Sequence, residues 1–179
     1  MIMLPTQINN KVNAMQSITS KTEKFSNPVA RRAENTTVVI GVIGADCHAV
    51  GNKIIANVLG RLGFTVVNLG VMVSQDEYID AALEYEAQAI LVSSIYGHGE
   101  TDCKGMRSRC EQRGIGDMIL YVGGNLVIGK KDFSAVKSLF LTMGYDRVFS
   151  PSDDLQDVAA YLEMDVENNK LAEKQRVTA

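Results

Sequence analysis

An aspartate, a histidine and a glycine follow an apolar stretch of this 179-residue chain at a spacing that suits metal chemistry. Asp46, His48 and Gly51 form the pattern D-x-H-x-x-G directly after the run "TVVIGVIG". An apolar, β-branched run that ends in small residues is typical of a buried strand, so the three residues follow a strand and precede a helix. A carboxylate two residues before a histidine can accept a hydrogen bond from one ring nitrogen and leave the other free to bind a metal ion.

Serine and glycine pairs close two later apolar runs. Ser93 and Ser94 precede Ile95 in one of them, and Gly123 and Gly124 end the other. Paired glycines at a strand end allow a bulky ligand to approach the backbone, but they also suit a tight turn. The serines could bind a ligand or hydrogen-bond the neighbouring backbone. The residue types alone leave both alternatives open for each pair.

The alternation of apolar patterns predicts the elements that position these residues. The predicted strands cover residues 37–44, 64–70, 88–97, 117–125 and 146–150, and the predicted helices cover 51–63, 74–87, 102–113, 131–143 and 152–165. Ser74 with Glu77 forms a capping box, Asp102 opens the third helix and Ser152 caps the last one. Short strands alternating with helices predict an α/β fold with a doubly wound, five-stranded parallel sheet.

One domain is predicted over residues 37–165. Residues 1–36 are polar and predicted to be a flexible N-terminal tail, with a short helix near 10–18, and residues 166–179 are predicted to be a C-terminal tail. Because an open parallel sheet binds its ligand along the carboxyl ends of the strands, the polar and glycine residues described above are expected at one site.

Composition excludes several classes of function. The net charge of −3 gives no sign of a nucleic-acid surface. No apolar run approaches the roughly 18–20 residues that a membrane helix needs, and the start "MIMLPTQINN" does not resemble a secretory signal. Three cysteines without a C-x-x-C pair indicate reduced thiols and hence a cytoplasmic protein. Cys47 lies between Asp46 and His48, but its side chain is expected to point away from theirs.

Other α/β ligand sites do not match the residues. A dinucleotide site needs G-x-G-x-x-G in the first turn and an acid after the second strand, where this chain has Asn68-Leu69-Gly70. A phosphate-acceptor receiver domain needs an aspartate after the third strand, which here ends in serines. No P-loop is present, and His48 and His98 with scattered acids do not make a zinc site.

The combined pattern resembles the cobalamin-binding domain of corrinoid enzymes, whose motif is D-x-H-x-x-G, then S-x-L, then G-G. This chain has all three parts in order and departs only at Ile95, where the family has leucine. The segments "GVIGADCHAVGNKI", "ILVSSIYGHGE", "DCKGMR", "YVGGN" and "MGYDRV" narrow the resemblance to the small subunits of glutamate mutase, also called methylaspartate mutase, over about residues 37–165.

The resemblance implies a flavodoxin-like, Rossmann-like domain that binds adenosylcobalamin. His48 would bind cobalt in place of the cofactor's own benzimidazole, Asp46 would hold His48, and Ser93 would hydrogen-bond the displaced nucleotide tail. Gly51, Gly123 and Gly124 would leave room for that tail. The full set of implied cofactor-binding residues is Asp46, Cys47, His48, Val50, Gly51, Ser93, Ile95, Tyr96, Gly97, Gly123, Gly124 and Asn125.

The resemblance also implies a division of labour between two chains. The enzyme would be an isomerase that interconverts L-glutamate and threo-3-methylaspartate by radical carbon-skeleton rearrangement. Nothing in this chain resembles a cluster of arginines for two carboxylates, so no catalytic residue is expected here and L-glutamate is expected to bind a larger catalytic mutase subunit.

Two other functions stay open at this stage. A corrinoid methyl carrier would share the motif, but such proteins have a helical domain before it, for which residues 1–36 are too few. A cobalamin-sensing module without catalysis would also share it. A large mutase subunit encoded nearby would distinguish the mutase from both.

Overall fold

The computed structural model describes residues 35–129 and 132–177 of the chain. The predicted N-terminal tail and the helix near residues 10–18 therefore lie outside the described residues, apart from the last two positions of that tail. The strands are β1 (Thr37–Val42), β2 (Thr65–Asn68), β3 (Ala89–Ser93), β4 (Ile119–Gly123) and β5 (Arg147–Phe149). The helices are α1 (Ala49–Arg61), α2 (Gln75–Glu84), α3 (Gly99–Cys103), α4 (Met106–Gln112), α5 (Phe133–Thr142) and α6 (Leu155–Val177).

The five strands form one parallel sheet in the order β2-β1-β3-β4-β5. This is the flavodoxin-like order, in which β2 lies on one side of β1 and the later strands lie on the other. It confirms the predicted fold class. The register brings the strand ends level: Val42 pairs with Ser93, Ser93 with Gly123, and Gly123 with Phe149. The three parts of the sequence motif therefore follow adjacent strands at the same edge of the sheet.

Helices cover both faces of the sheet, and each face has its own core. Along β1, Val38 and Ile40 pack in one cluster with Leu59 of α1 and Leu162 of α6. Val39 points to the other cluster, which contains side chains of α2, α4 and α5. Because both faces are buried, the strands are apolar at consecutive positions rather than at alternate ones.

The predicted capping box of α2 is confirmed. The Ser74 hydroxyl accepts a hydrogen bond from the Glu77 amide at 3.3 Å, and Glu77 Oε2 accepts one from the Ser74 amide at 2.7 Å. These bonds satisfy backbone N–H groups that the first turn of a helix leaves without partners.

The predicted helix over residues 102–113 is wrong in its start and its continuity. The structure has two short helices there, α3 and α4, separated at Gly105, whose φ of 89° is left-handed. Asp102 does not cap a helix, because it lies inside α3 and its carboxylate accepts a hydrogen bond from Tyr96. A residue in the left-handed region interrupts a helix, and glycine adopts that region without steric cost.

The last helix differs from its prediction at both ends. It begins at Leu155, and the Asp154 side chain, not Ser152, accepts a hydrogen bond from a first-turn amide, that of Gln156 at 2.8 Å. It continues to Val177 through the residues assigned to a C-terminal tail, and Val166 packs in the core cluster with β1. No helix in the described ranges is both long enough and apolar enough to cross a membrane.

Candidate functional site

Asp46 lies at the centre of the site, buried at the end of the loop that follows β1. Its Oδ1 accepts hydrogen bonds from the His48 amide at 3.0 Å and from His48 Nδ1 at 2.6 Å. Its Oδ2 accepts a hydrogen bond from the Ile95 amide at 2.7 Å. The carboxylate, only 1% exposed, thus has three hydrogen-bond donors.

The surroundings of Asp46 favour its ionised form. Burial alone would raise the pKa of Asp46, but the hydrogen bonds from the Ile95 amide, the His48 ring and the His48 amide together lower it below its ordinary value. An ionised carboxylate can only accept, so the hydrogen bond at His48 Nδ1 places the ring proton on that nitrogen. The other ring nitrogen, Nε2, then carries the free lone pair.

His48 is placed at the mouth of a cleft. It is the N-cap residue of α1, but its side chain makes no capping bond, and 54% of that side chain is exposed. Its ring is therefore held by the hydrogen bond to Asp46 rather than by the helix, and Nε2 remains available to bind a metal ion. No group of three or more His, Cys, Asp or Glu side chains in the described ranges could together hold a metal ion. His48 can supply one axial ligand to a metal that brings its remaining ligands with it.

The cleft enters the sheet face covered by α1 and α6 and has a volume of about 320 Å³. Its inner wall is apolar, formed by Ile40 of β1, Leu91 of β3 and Tyr121 of β4. The other lining residues are Val42, His48, Gly51, Asn52, Ile54, Ile55, Val92, Ser93, Ile95, Val122, Gly123, Gly124, Phe149, Ser150, Pro151, Asp153, Leu155 and Val158. The lining suits a mainly apolar group with a few polar atoms.

Six of the predicted cofactor-binding residues line this cleft: His48, Gly51, Ser93, Ile95, Gly123 and Gly124. The three glycines differ in what an added side chain would meet. A Cβ on Gly51 would meet nothing within 4 Å, so the space beside it is open to a ligand, whereas a Cβ on Gly123 would make an ordinary contact with Phe149. Gly124 has a φ of 113°, and a Cβ there would collide with the Ser94 carbonyl. Gly124 is thus required by the turn itself.

The other predicted residues lie around the cleft rather than along its walls. Asp46 acts through His48, while Cys47, Val50 and Asn125 are exposed at the same edge of the sheet. Tyr96 donates a hydrogen bond to the Asp102 carboxylate and accepts a long one, 3.4 Å, from the Ala45 amide. Gly97 has a φ of 87°, and a Cβ on it would lie 2.7 Å from the Ile128 side chain. Tyr96 and Gly97 therefore shape the loop that carries Ile95.

Exposed apolar side chains follow the carboxyl ends of four strands, at the edge of the sheet where the cleft opens. Val50 follows β1, Met72 follows β2, Ile95 follows β3 and Ile128 follows β4, and all four are exposed. An apolar rim at a ligand site marks a surface that a ligand or another protein covers.

Sequence reasoning missed two groups of cleft residues. One side is formed by Phe149, the last residue of β5, and by Ser150 and Pro151 after it, where no ligand-binding motif was recognised. Asn52 was missed because it falls inside the predicted helix, although it lies only four residues after His48, in the first turn of α1.

Comparisons with known proteins show the family of the chain. Residues 36–160 match the family described as the B12 binding domain. A glutamate mutase sigma subunit from Yersinia enterocolitica is 63% identical over 134 residues, which is 75% of this chain and 90% of that protein. The same subunit from Carboxydothermus hydrogenoformans is 53% identical over 133 residues, 74% of this chain and 97% of that protein.

Solved structures support the fold. A cobalamin-binding protein from Desulfitobacterium hafniense superposes with a TM-score of 0.60 at 17% identity, covering 74% of this chain and 59% of that protein. The monomethylamine corrinoid protein of Methanosarcina barkeri gives a TM-score of 0.57 at 21% identity, covering 91% of this chain and 72% of that protein.

The sheet, the Asp46–His48 pair and the family match define a B12-binding domain. Within that class, the identity to relatives over nearly their whole length shows that the chain belongs to the glutamate mutase sigma subunit family. The resemblance found in the sequence is thereby confirmed, as is the predicted assignment to the cobalamin-binding subunit of an isomerase.

Proposed function

We propose that this chain binds adenosylcobalamin as the smaller subunit of a mutase that interconverts L-glutamate and threo-3-methylaspartate, with His48 as the axial ligand of cobalt. The observation that carries the proposal is the 2.6 Å hydrogen bond between Asp46 and His48 Nδ1 at the cleft mouth. A carboxylate partner of this kind fixes the orientation of the ring and raises the basicity of the ligating nitrogen.

The described residues fit cobalamin in three respects. Cobalamin would carry most of its cobalt ligands within the corrin, so the protein would need to add only one, and His48 is the cleft residue suited to it. The open space beside Gly51 and the apolar walls of the cleft suit the nucleotide tail that His48 would displace. The rim of Val50, Met72, Ile95 and Ile128 suits the underside of a broad, flat ring.

The bound cofactor supplies homolytic cobalt–carbon chemistry, and this chain's residues hold it in place. Asp46 keeps the proton on Nδ1 and so keeps Nε2 free. The cleft residues orient the cofactor tail. The Tyr96 hydroxyl donates to Asp102 and accepts from the Ala45 amide, so it links the loop after β3 to the loop that carries His48.

L-Glutamate is assigned to a larger partner subunit. A glutamate site needs cationic side chains for two carboxylates, and the cleft lining among the described residues includes neither arginine nor lysine. Five arginines outside the cleft are paired with acids, as Arg107–Asp146, Arg109–Asp76, Arg113–Asp80, Arg147–Asp165 and Arg176–Asp117. A cytoplasmic location is part of the proposal and is supported by the free thiols of Cys47, Cys103 and Cys110.

Electron paramagnetic resonance of the chain with cobalt(II) cobalamin tests the ligand. An axial nitrogen-14 splits each high-field line into three, and a nitrogen-15 splits it into two. Protein labelled with nitrogen-15 histidine should therefore change triplets into doublets, which ligation by the cofactor's own benzimidazole would not do. The chain has two histidines, so His48→Gly should abolish the doublets and the matched variant His98→Gly should keep them. Triplets that persist in the labelled protein would contradict the assignment.

The reaction is tested by adding a larger glutamate mutase subunit and adenosylcobalamin and following methylaspartate formation. Glutamate turnover by this chain and cofactor alone would contradict the division of labour. Methyl transfer with a corrinoid methyltransferase, and no turnover with the mutase subunit, would favour the methyl-carrier alternative.

A further inference from the structure

Asn52 carries a buried polar atom that the protein itself leaves without a partner. The residue is 2% exposed, and its Oδ1 has no hydrogen-bond donor within the part of the chain that the structure describes. A buried carbonyl oxygen without a donor is energetically unfavourable, so such an atom is uncommon unless a ligand or an ordered water completes it.

The orientation of the Asn52 amide is fixed by its other contacts. Its Nδ2 donates to Asn68 Oδ1 at 2.7 Å and to the Gly70 carbonyl at 3.1 Å. Asn68 Oδ1 in turn accepts from the Gly70 amide at 2.9 Å, so it is an acceptor and not a donor. Rotating the Asn52 amide by half a turn would set its oxygen against two acceptors, and the unpartnered atom must therefore be the oxygen.

Asn52 lies in the wall of the cleft. It lies in the first turn of α1, four residues after the N-cap residue His48, and both residues line the cleft. It lines the cleft beside Gly51, where the space is open. A corrin held at His48 is too broad for the cleft, so the part of a cobalamin that passes Asn52 is its nucleotide tail.

Few groups of the nucleotide tail could donate a hydrogen bond to Asn52 Oδ1. Within the nucleotide, the free benzimidazole nitrogen and the phosphodiester oxygens only accept hydrogen bonds, whereas the ribose hydroxyls can donate. The other donor of the tail, the amide N–H of its linker, lies at the end attached to the corrin. We propose that Asn52 Oδ1 accepts a hydrogen bond from a ribose hydroxyl of the bound nucleotide tail and so selects corrinoids that carry a complete tail. This inference rests on the proposed function, since it requires cobalamin at His48.

Calorimetric titration with two ligands separates the tail from the ring. Cobalamin carries the nucleotide tail, and cobinamide lacks it while keeping the corrin. Asn52→Leu should weaken cobalamin binding by about tenfold, the size expected for one buried hydrogen bond, and leave cobinamide binding within about twofold of the parent chain. Asn52→Ala serves the same purpose if the leucine variant does not fold, with thermal unfolding as the check on folding.

Asn68→Ala is the matched control, because it removes a partner of Asn52 Nδ2 and leaves the proposed acceptor in place. It should change the affinities for the two ligands by the same factor. Equal losses for both ligands in the Asn52 variants, or unchanged cobalamin binding, would overturn the assignment to Asn52 while leaving the proposed function intact. Failure of the parent chain to bind cobalamin would overturn both.

Discussion

The backbone N–H of Ile95 donates a hydrogen bond to Asp46 Oδ2 over 2.7 Å, across 49 residues of sequence. This contact joins two parts of the motif that are separated in the chain, because Asp46 follows β1 and Ile95 follows the neighbouring strand β3. The carboxylate that orients His48 is thus itself oriented by the loop beside it. A third loop, which follows β2, also contacts Asp46: the Met72 amide donates a hydrogen bond to the Asp46 carbonyl at 3.1 Å.

Replacing Asp46 should weaken cofactor binding without removing histidine ligation. Asp46→Asn keeps the size of the side chain but replaces one acceptor oxygen with an NH₂ donor. The single oxygen that remains cannot accept hydrogen bonds from both His48 and the Ile95 amide. We expect cobalamin affinity to fall by roughly 10–100-fold, as for other residues that orient a metal ligand. Titration calorimetry gives the affinity, and the nitrogen-15 histidine splitting reports ligation. Loss of that splitting at saturating cobalamin would show that Asp46 does more than orient the ring.

The same carboxylate should make stability depend on pH in acid. The folded chain lowers the pKa of Asp46 below its ordinary value of 3.8, so its ionised form stabilises the fold. That contribution is fully present above the ordinary value and is lost as the pH falls through the lower, folded-state pKa. The free energy of unfolding of the parent chain should therefore fall more steeply than that of Asp46→Asn as the solution is acidified below about pH 4. Urea unfolding of both proteins at a series of pH values measures this, and parallel curves would contradict it.

The sequence was sufficient to predict the sheet and the location of the site, for a physical reason. Strands buried on both faces must be apolar at nearly every position, so β1, β3 and β4 stand out in the chain, and their parallel pairing then brings Asp46, Ser93 and Gly123 to one edge. Local hydrogen bonding made the capping box of Ser74 and Glu77 equally predictable.

Features that depend on tertiary contacts were not predictable in this way. The apolar pattern continues through Ser94–Gly97, yet β3 ends at Ser93, because the next residues turn to bring the Ile95 amide to Asp46. The interruption between α3 and α4 is set by the backbone at Gly105, and a glycine within a helical pattern does not by itself show whether the helix breaks. Asn52 looks like an ordinary helix residue until its partners Asn68 and Gly70 are known.

Gly51 offers a test in which stability and binding should change in opposite directions. A Cβ at Gly51 meets no atom within 4 Å, so Gly51→Ala should stabilise the ligand-free chain by about 0.5–1 kcal/mol through the higher helix propensity of alanine. The same methyl group narrows the cleft beside His48 and should lower cobalamin affinity several-fold. Chemical unfolding and titration calorimetry measure the two effects.

Gly60 provides the control for that substitution. It also lies in α1 with open space where a Cβ would be, but it does not line the cleft. Gly60→Ala should therefore stabilise the chain to a similar extent and leave cobalamin affinity unchanged. Equal cobalamin affinities in the two alanine variants would argue that the nucleotide tail does not pass Gly51.

Cobalamin and the larger subunit should strengthen each other's binding. The exposed side chains of Val50, Met72, Ile95 and Ile128 surround the mouth at which His48 would hold the corrin, so a subunit that covers the upper face of the ring also lies close to this rim. If the ring is held between two proteins, each protein binds a surface that the other completes. The free energy of coupling must then be the same whether it is measured as the effect of cobalamin on subunit affinity or as the reverse.

Titrating the larger subunit into this chain at several cobalamin concentrations measures that coupling. We expect subunit affinity to rise about 5–150-fold between no cobalamin and saturation, the usual range for linked sites. Ile128→Ser removes an exposed rim side chain that does not line the cleft, so it should weaken subunit binding in the presence of cobalamin by a larger factor than it weakens the chain's own cobalamin binding. Subunit affinity that does not depend on cobalamin would contradict an arrangement in which the ring lies between the two chains, because a ring in contact with both must contribute to both equilibria.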